Sequence, residues 1–128
     1  MRRTALLVDD EALLRRLLAR ILGEAGFGVV EAENGEVALA TALKMNGTLD
    51  LVVSDIHMPV MNGLELARQL RPLHPAVPIL LITGRDITDP APEPEGFELL
   101  RKPFRAEVFL RAIDRMLSAK PDSGRGPA

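Results

Sequence analysis

Three carboxylates, one hydroxyl and one ammonium stand out because each closes an apolar run. Asp9 and Asp10 follow residues 5–8 (ALLV), Asp55 follows residues 51–54 (LVVS), Thr83 ends residues 78–83 (PILLIT), and Lys102 follows FELLR. Three carboxylates within a few ångströms of one another repel, each close pair by about 4 kcal/mol at an effective dielectric of about 20. Lys102 supplies one compensating charge, and a divalent cation would supply two more. An oxygen-only ligand set, without Cys or suitably spaced His, points to Mg2+. A hard, hydrated cation beside a hydroxyl and an ammonium suits a phosphoryl group, and the protein then has mainly to position and to neutralise charge. Asp55, on the strand expected nearest the middle of the sheet, is the carboxylate placed to attack, giving an aspartyl phosphate.

These residues are far apart in sequence, so the fold must gather them. Five apolar runs alternate with helical patterns. Leu13, Leu14, Leu17, Leu18, Ile21 and Leu22 recur at helical spacing, and GEAGFG ends that helix. Strand-like VVEAENG is followed by helical EVALATALK, and NGLELARQL carries Leu64, Ala67 and Leu70 on one stripe until Pro72, Pro75 and Pro78 break it. The last helix, RAEVFLRAIDRML, has Val108, Phe109, Ala112, Ile113 and Met116 as its apolar positions. This rhythm predicts an α/β fold with a doubly wound parallel sheet covered on both faces. In such a sheet the C-terminal strand ends share one edge, where ligands bind at the reversal of strand order.

The composition narrows the function classes. The chain has 128 residues, enough for one domain, and is 47% hydrophobic and 27% charged. A net charge of −2 and the lack of Trp and Tyr argue against nucleic-acid binding. No cysteine is present, which excludes disulfides and thiolate metal sites and fits a reducing cytoplasm. No apolar run is long enough to span a membrane, and the five-residue apolar stretch after the basic start is too short for a signal peptide. Residues 1–117 read as the domain and residues 118–128 (SAKPDSGRGPA) as a disordered tail.

LLVDDE, VVSDIHMPVMNG, ILLITG and LLRKPF closely resemble the receiver domain of two-component response regulators, over positions 4 to about 117. The resemblance implies a flavodoxin-like, five-stranded sandwich. It implies that Asp55 takes a phosphoryl group from a histidine kinase or histidine phosphotransfer protein, and that the domain changes conformation to alter partner binding. It further implies that Asp10 and Asp55 bind Mg2+ through their carboxylates, His57 through its backbone carbonyl, and Asp9 mainly through water. Thr83 would hydrogen-bond a phosphoryl oxygen, Lys102 would pair with the phosphate, and Pro103 would set the Lys102 loop through a cis peptide bond. Gly84, being small, leaves room for the phosphoryl group. Receivers often dimerise, so a homodimer is one association the resemblance allows; the downstream protein target is not implied.

Simpler readings stand beside these. Asp9 and Asp10 also suit N-caps of the first helix, Asp55 a cap of the loop before MNG, and Thr83 a strand-end hydroxyl bonded to backbone. His57 reads as an exposed loop residue contributing its backbone alone, and the Arg15, Arg16 and Arg20 face as solvated or meeting a kinase. A haloacid-dehalogenase-type phosphatase would need Asp where His57 stands, and a flavin or dinucleotide site would need glycines or hydroxyls where DDEALL stands. A pseudo-receiver that binds partners without phosphorylation is the main alternative.

Two departures from the receiver pattern bear on switching. Prolines at 90, 92 and 94 fall where receivers usually carry a helix between strands four and five, and Thr83 and Lys102 are 19 positions apart. That helix is therefore expected to be short, irregular or missing, with phosphorylation ordering or moving the 84–96 segment. Three positions before the lysine, where the family commonly has Tyr or Phe, stands Leu99, with Phe97 and Phe104 out of register.

Overall fold

The computed structural model describes residues 3–45, 47–84 and 97–119. The strands are β1 (Thr4–Val8), β2 (Gly28–Ala32), β3 (Leu51–Asp55), β4 (Ile79–Thr83) and β5 (Phe97–Arg101). The helices among the described residues are α1 (Ala12–Glu24), α2 (Gly35–Lys44), α3 (Gly63–Leu73) and α4 (Ala106–Ala119). All strand pairs are parallel, in the order β2-β1-β3-β4-β5. This is the doubly wound arrangement of flavodoxin-like folds, and its order reverses between β1 and β3. The 84–96 segment beyond Gly84, where a helix between β4 and β5 is expected to be short, irregular or missing, and the tail beyond Ala119 lie outside the described residues.

Alternation along the strands divides the core in two. Leu6, Val8, Val52, Ile79 and Leu81 pack with Ala38 and Ala42 of α2 and with Leu66, Ala67 and Leu70 of α3. Ala5, Leu7, Leu51, Val53, Leu80 and Ile82 pack with Leu18 and Leu22 of α1 and with Phe109, Ile113 and Met116 of α4. The central strands β3 and β4 are buried throughout, which explains their unbroken apolar runs.

Capping residues set where the helices begin. Asn34 accepts a bond from the Val37 N–H at 2.9 Å and Asn62 one from the Glu65 N–H at 2.8 Å. Neither aspartate caps α1, whose N-cap is Glu11 without a side-chain bond, and it is Asn62 rather than Asp55 that caps α3.

Two sequence expectations need correction. Pro72 does not break α3, which continues to Leu73. Pro72 lies in the final turn, where its missing N–H removes one bond near a solvent-facing end, and the His74 N–H still reaches the Leu70 carbonyl at 2.8 Å. The apolar residues of α1 do not all face inward: Leu18 and Leu22 are buried, whereas Leu13 is 85% and Leu17 54% exposed. Val108 of α4 is exposed too. Residues at i and i+4 share a helix face, so Leu13 and Leu17 lie together on the outer side.

Candidate functional site

Asp9, Asp10 and Asp55 meet where the strand order reverses. One carboxylate oxygen from each lies within 4.8 Å of the others. Asp9 and Asp55 are buried and Asp10 is exposed. One oxygen of Asp9 accepts the Glu11 N–H at 2.8 Å. Burial pushes the Asp9 carboxyl up to about 6, and neighbouring Asp55 and Asp10 add to the rise while the Glu11 N–H and Lys102 oppose it. Asp55 is raised as well, chiefly by burial, with Lys102 and the His57 backbone N–H favouring its charged form.

Lys102 arrives from the end of β5. Its Nζ is 3.6 Å from Asp55 Oδ2 and 4.0 Å from Glu11 Oε1. The Lys102 N–H donates to the Thr83 carbonyl at 2.7 Å, which ties the two strand ends together, and the Lys102–Pro103 bond is cis. Asp55 Oδ1 is buried and has no hydrogen-bond partner among the described residues. A buried oxygen of this kind carries a desolvation cost until a cation or a donor meets it.

Thr83 is fully buried, and its Oγ1 lies 3.0 Å from His57 Nε2. His57 is exposed, as its sequence context suggests, yet its ring reaches across the site as well as its backbone. A Cβ added at Gly84 would meet only the Lys102 stem, at 3.6 and 3.9 Å, so an alanine there would rest on the lysine. Leu99 is partly buried against the α2/α3 side of the sheet, as is Phe97, whereas Phe104 stacks on Phe109 on the opposite side.

Three residues that shape the site escaped sequence reasoning. Glu11 shares the Lys102 ammonium, and its place directly after the aspartate pair was the available signal. Arg15 is no solvated charge: its Nη1 donates to the Asp9 carbonyl at 2.8 Å and its Nε to Glu31 at 2.9 Å, pinning the turn that carries the acidic pair. One contact folds back on the turn before α1 and the other crosses to β2, so helical spacing does not reveal them. A Cβ at Gly63 would stand 2.3 Å from the Asp55 carbonyl oxygen, so only glycine lets α3 start against the end of β3. The pairing of Asn62 with Gly63 was legible only as a helix start.

An acidic cluster at a switch point, a lysine on the central acid and a buried threonine one strand away form one constellation. Residues 5–114 match the family model of the response regulator receiver domain. The chain belongs to this family. It is similar to the DNA-binding transcriptional regulator NtrC of Salmonella typhimurium, with 36% identity over 115 residues. That alignment takes in 87% of this chain and 24% of NtrC, so the chain spans about a quarter of that relative's length. It is also similar to the response regulator receiver protein CpdR of Brucella abortus, with 34% identity covering 89% of this chain and 96% of CpdR. Among solved structures, it resembles the response regulator protein TrrA of Thermotoga maritima in complex with Mg2+ and BeF. The TM-score is 0.79 and the identity 33%, over 90% of this chain and 99% of that one.

The domain is therefore a receiver of two-component signalling, and its acidic cluster fits the phosphoacceptor role of that family. No helix among the described residues is long and apolar enough to cross a membrane.

Proposed function

We propose that Asp55 is the phosphoryl acceptor of this receiver domain and that a phosphohistidine on a histidine kinase or phosphotransfer protein is the donor. The observation that carries this reading is the state of the Asp55 carboxylate: Oδ2 faces Lys102 at 3.6 Å, while Oδ1 is buried without a hydrogen-bond partner among the described residues. A carboxylate oxygen of Asp55 forms the new P–O bond, the donor's P–N bond breaks, and its electron pair stays on the imidazole nitrogen. Lys102 neutralises charge on Asp55 beforehand and on the phosphoryl group afterwards. A point charge on a flexible stem can follow a group that comes and goes. Thr83 offers its hydroxyl to a phosphoryl oxygen.

The donor set fits a hard cation: all of its side-chain ligands are carboxylate oxygens, and one of them is buried and uncompensated. Asp10 and Asp55 would hold Mg2+ through their carboxylates, His57 through its backbone carbonyl, and Asp9 through water. When bound, Mg2+ supplies positive charge that offsets the carboxylates and the phosphoryl oxygens. The Mg2+ and BeF bound to TrrA support this assignment. The domain promotes its own phosphorylation and dephosphorylation, acts in the cytoplasm, and signals by changing which protein it binds.

Phosphoramidate, a small donor with a P–N bond, tests the reading. With Mg2+ the wild-type protein acquires a phosphoryl group that hydroxylamine removes, as an acyl phosphate requires. A hydroxylamine-resistant label would refute the aspartyl assignment, a label formed equally in EDTA would refute the role of the cation, and a folded protein that takes no label would favour a phosphorylation-independent binding module.

A further inference from the structure

We propose that the His57 side chain is a latch on Thr83, holding its hydroxyl in the resting arrangement and so setting how readily the site accepts a phosphoryl group. The inference rests on the proposed roles of Asp55 and Thr83. It starts from the 3.0 Å contact between His57 Nε2 and Thr83 Oγ1.

The two residues approach the site from different elements. His57 sits in the loop after β3, two positions beyond Asp55, and Thr83 ends β4. The Thr83 backbone is fixed: β4 pairs with β5 through Thr83 and Arg101, and the Thr83 carbonyl accepts the Lys102 N–H at 2.7 Å. Only rotation about χ1 is left to redirect the hydroxyl. A hydroxyl has one proton to donate. If it donates to the ring, that proton is withheld from a phosphoryl oxygen; if the ring donates to it, the oxygen is still held on the His57 side. Either tautomer makes the phosphoryl-bound arrangement give up or bend one hydrogen bond. A net hydrogen bond shifts such an equilibrium by roughly fivefold. His57 contacts the resting arrangement, so it biases the switch toward rest by that differential alone. With Leu99 in the usual aromatic position, this contact restrains Thr83 from the loop after β3.

Two substitutions separate bonding from bulk. His57→Leu keeps volume and loses the polar contact, and His57→Gln keeps a group able to bond the hydroxyl. Two readouts are taken: the Thr83 χ1 rotamer populations from three-bond couplings in the unphosphorylated protein, and the rate of labelling by acetyl phosphate with Mg2+. The latch predicts that His57→Leu broadens the Thr83 rotamer distribution and speeds labelling by roughly fivefold. His57→Gln restores most of the restraint in both readouts. Unchanged rotamers in His57→Leu, or the same change in both variants, would overturn the latch. Failure of the acceptor reading looks different: no variant and no wild-type protein would be labelled, while the rotamer populations would still decide whether His57 restrains Thr83.

Discussion

Asp55 gathers the physical argument at the scale of single residues. One of its oxygens faces a lysine and the other is buried without a hydrogen bond among the described residues, so the resting site stores an electrostatic cost that a cation or phosphoryl group relieves. Asp9 shares that cost, and its titration makes it measurable. Its carboxyl is held at about 6 in the folded chain, against an ordinary value of 3.8. The folded state therefore binds this proton more tightly than the unfolded state. The resulting stability is full below the lower value and is lost as pH rises toward the upper one, by at most about 3 kcal/mol. Thermal melts in EDTA should show Tm falling between pH 4 and 6, with Asp9→Asn flattening the slope; a Tm that rises across that window in wild type would contradict it. Val60 provides a second residue-scale prediction. It is a β-branched residue at φ 73°, a left-handed conformation that costs about 1–2 kcal/mol. Val60→Gly should raise stability or leave it unchanged in urea titrations, whereas Gly in an exposed helix interior costs about 1 kcal/mol. The acids and Lys102 were legible in the sequence because each closes an apolar run. The His57–Thr83 and Arg15–Glu31 contacts were not, since both join residues that only the assembled sheet makes neighbours.

At the scale of elements, the start of α3 holds the end of β3 in place, and the turn after α3 is held by Arg71. The Gly63 N–H donates to the Ile56 carbonyl at 2.9 Å, and a Cβ at Gly63 would collide with the Asp55 backbone. Gly63→Ala should cost about 1–3 kcal/mol by overpacking and should slow phosphorylation, because the helix must retreat from Asp55. A stable variant labelled at the wild-type rate would refute that coupling. At the other end of α3, Arg71 donates to the Pro75 and Val77 carbonyls at 2.9 and 2.8 Å and lies 5.0 Å above the Phe97 ring. Arg71→Lys should lower stability by about 1–3 kcal/mol, since an ammonium lacks the planar guanidinium that lies over the ring while its Nη1 reaches both carbonyls. Equal denaturant midpoints for the two proteins would contradict this. Pro72 explains why the end of α3 was misplaced in sequence: the rule that proline breaks helices concerns interiors, and a last turn tolerates it. Leu13 and Leu17 show the converse limit, because a run of leucines fits a helix without revealing which of them face the core.

The whole molecule is a doubly wound sheet whose order reverses between the strands that carry Asp9, Asp10 and Asp55. That much was legible from the alternation of apolar runs and helical patterns, since parallel strands put their C-terminal ends on one edge whatever the loops between them. The order of the strands, and therefore the meeting of residues 9, 10 and 55 within 4.8 Å, follows once β1 and β3 are neighbours. The central claim is that this edge makes Asp55 a phosphoryl acceptor. Intact-protein mass after incubation with acetyl phosphate and Mg2+ tests it most directly, beside Asp55→Asn. The wild-type chain should gain one phosphoryl group, absent from Asp55→Asn and absent when EDTA replaces Mg2+. A folded wild-type protein that gains no phosphoryl group, or an Asp55→Asn protein that gains it equally, would contradict it.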